Sequence, residues 1–143
     1  MLTVLYDLNI VLDVLLAREP FAPASAAALD AVGRNQVEGY LAAHLVTTLY
    51  YLLRRNVGAD RARALTANLL TKLHVAPVTE PVAQRALALP FQDLEDAVCH
   101  SAAQEVGAAV IVTRNTDDFK RGTIPAVLPE VFRRRLREEH RGD

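Results

Sequence analysis

The stretch from Leu2 to Leu16 restricts the architecture more than any other part of the chain. Leu2-Thr3-Val4-Leu5-Tyr6 is a run of strand-forming residues that stops at a carboxylate, Asp7, and Asn9 then opens the helical run Ile10-Val11-Leu12-Asp13-Val14-Leu15-Leu16. A largely apolar strand running directly into a helix suits a parallel sheet covered by helices on both faces. In such sheets ligands bind at the carboxyl ends of the strands, which puts Asp7 where the fold does its chemistry. The same side chain equally suits a plain role as cap of the next helix.

The rest of the chain repeats the alternation. Helical periodicity runs from about Pro23 to Arg34, followed by a short strand over Val37–Ala42 and an amphipathic helix from Leu45 to Arg55 that ends near Asn56-Val57-Gly58. A further helix continues to about Lys72, Leu73–Ala76 is a third strand, and Val82, Ala86 and Leu87 mark a short helix that stops before Pro90. Asp93 to Val106 reads as a helix, Ala109–Thr113 as a fourth strand, Arg114 to Gly122 as a polar loop, and Ala126–Leu128 as a last short strand. A basic helix follows from Glu130 onward. Strands that alternate with helices in this way predict an α/β fold with a parallel sheet.

A chain of 143 residues is expected to form one domain, 1–143, able to bury a core without staples. Cys99 is the only cysteine, so no intramolecular disulfide forms. Neither a signal-peptide pattern nor an apolar run of spanning length is visible, and the expectation is a soluble, cytoplasmic protein without membrane contact. The net charge of −1 gives no global attraction to nucleic acid or anionic lipid. Its distribution is more informative. Acids collect at Asp7, Asp13, Asp93, Glu95, Asp96, Asp117 and Asp118, and bases at Arg54-Arg55 and Arg133-Arg134-Arg135 with Arg137. An acidic site flanked by basic segments holds a polyanion once a cation bridges the like charges.

Two further clusters accompany Asp7. In Phe91-Gln92-Asp93-Leu94-Glu95-Asp96-Ala97, Asp93 at the N-cap would place Asp96 at the third helical position, and both suit the exposed amides of the first turn. Capping explains Glu95 less well, because a third negative charge adds repulsion where the helix dipole favours each acid by only about 0.3–1 kcal/mol. In Thr113-Arg114-Asn115-Thr116-Asp117-Asp118-Phe119 a polar group again follows a strand, with solvated turn residues as the plain alternative. Three oxygen-rich clusters without a Cys/His pattern select a hard cation, Mg²⁺ or Mn²⁺, over zinc.

The order Tyr6-Asp7-Leu8-Asn9, Asp93-Leu94-Glu95-Asp96-Ala97 and Thr113-Arg114-Asn115 with Asp118-Phe119 resembles PIN domains, particularly the branch related to VapC-type toxins of bacterial toxin–antitoxin pairs. The resemblance covers nearly the full chain. It implies a three-layer α/β/α sandwich with a mostly parallel central sheet, and a Mg²⁺- or Mn²⁺-dependent ribonuclease site built from acids. Asp7 and Asp96 match the family's metal-binding positions. Asp118 and Asn115 would add oxygens to the catalytic group, with Asn9, Asp13, Asp93, Glu95 and Thr113 supporting it. Arg114, Lys120 and Arg121 flank the polar loop and are expected to contact RNA phosphates. The expected partners are RNA, a small antitoxin protein and a second copy of the chain. Departures are concentrated at Thr48, where the family commonly has glutamate, at Asn115 in its fourth acidic position, and at Leu8 in place of threonine.

Two rival readings follow from those departures and from chemistry. One is a PIN-fold RNA- or protein-binding module with weakened or lost catalysis. The other is a different Mg²⁺-dependent phosphotransfer enzyme of the dehalogenase-like type, disfavoured because Asp7-Leu8-Asn9 lacks the required Asp-x-Asp spacing.

Overall fold

The computed structural model describes the backbone of residues 1–142 and the side chains of residues 1–139. Five strands, β1 (Leu2–Tyr6), β2 (Val37–Ala42), β3 (His74–Ala76), β4 (Val110–Val112) and β5 (Ala126–Val127), form one sheet in the order β3-β2-β1-β4-β5. Every pairing is parallel. Parallel neighbours need crossover connections, and helices supply most of them: α1 (Leu8–Leu15) and α2 (Ala22–Gly33) between β1 and β2, α3 (His44–Val57) and α4 (Ala59–Leu69) between β2 and β3, and α5 (Glu80–Ala88) and α6 (Leu94–Glu105) between β3 and β4; α7 (Pro129–Gly142) follows β5. The predicted α/β/α architecture is the observed one.

The strand read first in the sequence is the central one. Val4, Leu5 and Tyr6 have no solvent exposure, as expected for a strand covered on both faces. Tyr6 lies edge-on to Phe132 of α7, and its hydroxyl donates to the Ala28 carbonyl of α2 at 2.8 Å. A buried phenol thus keeps its hydrogen bond. Elsewhere α6, backed by α5, lies against β2 and β3, and α3 packs with α4 as a helical hairpin. Leu45, Leu49 and Leu53 place the apolar stripe of α3 in the core, and Tyr51 remains 60% exposed.

Several boundaries differ from the sequence reading for local reasons. The first helix starts at Leu8 rather than at Asn9 because Asp7 itself caps it. The last starts at Pro129, whose missing amide hydrogen costs nothing at a first helical position. The polar loop after β4 contains a 3₁₀ turn, Thr116–Phe119, anchored by Phe119, which is buried edge-on to Phe91. Among the described residues no helix is long and apolar enough to cross a membrane.

Gly39 on β2 allows close packing of its neighbours. A β-carbon there would sit 2.6 Å from the Val32 side chain, 2.7 Å from that of Leu73 and 3.0 Å from the Tyr6 ring. Gly39→Ala is therefore an overpacking substitution and is expected to lower unfolding stability by about 1–3 kcal/mol. Urea denaturation of the two proteins checks this; equal midpoints would contradict the packing argument.

Candidate active site

Parallel strands end on the same side, and the sheet gathers the acidic clusters at that edge. The Asp7 amide donates to the Val112 carbonyl at 2.9 Å, extending the β1–β4 ladder by one residue and fixing the start of its side chain. One carboxylate oxygen then accepts from the Leu8 amide at 2.8 Å, and the other accepts from the Thr113 hydroxyl at 2.8 Å. Capping and site placement are thus the same geometry. Asp7 is only 8% exposed. Burial raises its pKa, the bonds from Thr113 and Leu8 oppose that rise, the charge of Asp118 adds to it, and Arg114 opposes it again.

Asp93 is the N-cap of α6, its carboxylate accepting from the amides of Glu95 at 2.8 Å and Asp96 at 3.2 Å. This sets the first turn and holds Asp96, half-buried, within electrostatic reach of Asp7. A carboxylate in a first helical turn should ionise easily. Asp96 does the reverse: its pKa is pushed up from 3.8 to about 7, by burial first and then by the charges of Asp93, Asp7, Asp118 and Glu95. Four carboxylates from three separate segments therefore converge on it.

A cavity of about 520 Å³ opens at this edge, lined by Phe91, Asp93, Asp96, Asp118, Lys120 and Arg121 among others; Asp7 is not among its lining residues. Lys120 and Arg121 thus line the same cavity as the acids. Asn115 is exposed, and its amide donates to the Thr113 hydroxyl oxygen at 3.0 Å. Asn9 sits half-buried in the first turn of α1, and Glu95 is exposed.

Two expected residues take other places. Asp13 lies nearly two turns further along α1 than Asp7 and faces elsewhere. It is fully buried and accepts from the Ser25 hydroxyl at 3.0 Å and from Arg114 at 2.8 and 3.2 Å. Arg114, expected on RNA phosphate, instead turns its guanidinium to Asp13 and stacks it 3.9 Å from the centroid of the Phe21 ring.

His44 is the residue sequence reasoning missed. At the start of α3, its Nε2 donates to the Glu95 carbonyl at 3.2 Å and lies 3.7 Å from the Cys99 sulfur, while its Nδ1 is buried without a partner. Burial lowers its pKa more than the nearby Glu95 and Asp7 raise it. The ring is thus a neutral group bordering the acids. Its position just after β2 is the signal that nominated Asp7 after β1. Thr48, one turn further along α3, adds no charge.

Among the described residues no three His, Cys, Asp or Glu side chains already stand together as a ready enclosure for a metal ion. The donor set is two mutually repelling carboxylates, Asp7 and Asp96, with Asp118 near. That is thin for zinc or calcium, but it suits Mg²⁺, which keeps several waters and takes one or two carboxylates.

The raised Asp96 pKa has a definite sign. A carboxyl group whose pKa is higher folded than unfolded binds more protons in the folded state, so its contribution favours folding at low pH and is lost as pH rises from about 4 towards about 7. In metal-free buffer Asp96→Asn should therefore raise the melting temperature at pH 8 while changing it little at pH 4. Calorimetry at the two pH values tests this; a variant less stable than the wild type at pH 8 would show that Asp96 is not held against like charge.

Sequence and structure comparisons bear on the fold that carries this edge. A PIN domain family model matches residues 3–117. No curated protein matches the sequence closely enough to count as a relative. Among solved structures, VapBC2 from Rickettsia felis bound to a DNA fragment from its promoter is 14% identical with a TM-score of 0.69, over 89% of this chain and 98% of that one. FitAcB from Neisseria gonorrhoeae is 20% identical with a TM-score of 0.69, over 88% and 97%. VapC20 from Mycobacterium tuberculosis, a toxin that cleaves the sarcin–ricin loop, is 16% identical with a TM-score of 0.60, over 76% and 86%. The likeness to these structures is one of fold, and the family match spans most of the sequence: this chain belongs to the PIN domain family.

Proposed function

We propose that this chain is a divalent-metal-dependent endoribonuclease that hydrolyses RNA phosphodiester bonds, and that it is the toxin of a type II toxin–antitoxin pair. The observation that carries this reading is the gathering of Asp7, Asp96 and Asp118 at the carboxyl edge of the sheet, where burial first, and then the charges of Asp93, Asp7, Asp118 and Glu95, bring Asp96 to a pKa of about 7. Such crowding favours a bound cation, which restores the charged forms of the acids. The setting draws on the similar structures, VapBC and FitAB complexes and a sarcin–ricin-cleaving toxin among them. By analogy the partner is a small antitoxin protein.

Asp7 and Asp96 would hold the ion, Mg²⁺ or Mn²⁺, with Asp118 and Asn115 adding oxygens directly or through water. When bound, it supplies Lewis acidity and lowers the pKa of a water. The chain's own part is orientation and charge. Leu8 and Thr113 lock both oxygens of Asp7, Asp93 fixes the turn that presents Asp96, and Lys120 and Arg121 sit on the cavity wall where phosphate charge would lie. Neutral His44 borders the acids without adding a cation of its own.

The rival reading, a PIN-fold RNA- or protein-binding module without catalysis, is favoured by neutral Thr48 and by the lack of a ready three-residue ligand group among the described residues. One experiment separates the two. With Mg²⁺ or Mn²⁺ the purified protein should cut RNA, and chelator should stop it. Asp7→Asn and Asp96→Asn should each slow cutting roughly 100-fold or more, the scale on which loss of one charge-stabilising group acts. Unchanged cutting in both variants removes the site assignment, whereas RNA retained without cutting selects the binding module.

Metal should also register without RNA. Millimolar Mg²⁺ is expected to raise the melting temperature of the wild type at pH 7 and to leave that of the Asp7→Asn, Asp96→Asn double variant nearly unchanged. Equal shifts in both would place the ion elsewhere.

A further inference from the structure

Arg114 follows Thr113, the residue that bonds Asp7, yet its own side chain points the other way. Its Nε donates to one Asp13 oxygen at 2.8 Å and its Nη2 to the other at 3.2 Å, a two-point grip on a fully buried carboxylate. Ser25 of α2 donates to the same carboxylate at 3.0 Å. On its flat face the guanidinium lies 3.9 Å from the centroid of the Phe21 ring, at the start of α2. Buried ion pairs often add little net stability, because desolvation offsets attraction, and their better-attested effect is to select one arrangement.

The arrangement selected here bears on the acidic centre. Helix α1 is gripped near both ends by consecutive residues of one loop: at its N-cap Asp7 by Thr113, and towards its other end at Asp13 by Arg114. A turn of the backbone of residues 113–115 that carried Thr113 away from Asp7 would also strip Asp13 of its charged partner. The Thr113 hydroxyl is further tied because it accepts from the Asn115 amide at 3.0 Å. We propose that Arg114, through its clamp on Asp13 and Phe21, is a positioning residue that fixes Thr113 against Asp7 and so sets the orientation of the Asp7 carboxylate towards a bound divalent cation. This rests on the nuclease reading for its consequence in catalysis, and on geometry alone for the clamp itself.

The test uses Arg114→Met, which keeps the stem and removes the fork, Arg114→Lys, which keeps the charge on one point, and Asp13→Asn, each alone and Arg114→Met with Asp13→Asn. Mn²⁺ binding to the metal-free proteins is measured by titration calorimetry, kcat and KM on RNA by cleavage, and exchange of the Asn115 amide by NMR. Arg114→Met should weaken Mn²⁺ binding and lower kcat by about 10–100-fold with KM nearly unchanged, the usual scale for a group supporting a ligand. Arg114→Lys should recover part of that loss, and the double variant should be no worse than the poorer single, as for residues acting as a unit. Raised KM with normal kcat and Mn²⁺ affinity would instead make Arg114 an RNA contact. A lowered melting temperature with Mn²⁺ affinity and kcat intact would make it a structural pair only. Either result overturns the proposal. Should the wild type itself neither bind Mn²⁺ nor cut RNA, the nuclease reading fails, and Asn115 exchange then decides the clamp: at least about tenfold faster in Arg114→Met supports it, and an unchanged rate overturns it.

Discussion

The bond between the Thr113 hydroxyl and Asp7 joins two strand ends that the sequence separates by 106 residues, and the acidic edge depends on it. A carboxylate that is 8% exposed is costly to ionise unless donors face it. Here the backbone supplies one donor at Leu8 and the neighbouring strand supplies the other. The parallel sheet is what allows this economy. Because β1 and β4 end side by side, the residue after one can serve the residue after the other without a long side chain reaching across.

From that fixed point the charges are built up in layers of decreasing burial. Asp7 is buried, Asp96 half-buried, and Asp93, Glu95 and Asp118 exposed. Repulsion that water would screen among exposed groups is felt most by the one acid that is both partly desolvated and surrounded, so Asp96 takes the largest resolved carboxyl shift. Lys120 and Arg121 lie on the same cavity wall and leave that imbalance in place. A near-neutral chain thus carries a strongly polarised edge, which its net charge alone does not reveal.

What was readable in the sequence follows the range of the forces involved. Val37–Ala42 has the expected bounds because apolar patterning is a local signal, and Asp93 caps α6 as expected because capping reaches only two or three residues. The pairing of Arg114 with Asp13 spans 101 residues and depends on which faces of α1 and the loop meet, so both residues looked like site groups until the fold was in hand. His44 was passed over although it follows a strand, because a lone histidine in an apolar stretch announces no pattern. The 3₁₀ turn was hidden by its polar residues, with only Phe119 to mark it as anchored.

The sheet order also has a consequence for synthesis. The innermost strand, β1, precedes its second neighbour, β4, by more than 100 residues. Until the ribosome has released that segment, β1 has β2 on one side and a bare edge on the other, and non-local pairing of this kind closes slowly. The loop that carries Thr113 arrives in the same late portion. A nascent chain therefore holds its first carboxylate without the partner that orients it, and a hydrolytic centre of the kind proposed would be assembled only once β4 and the loop after it have emerged.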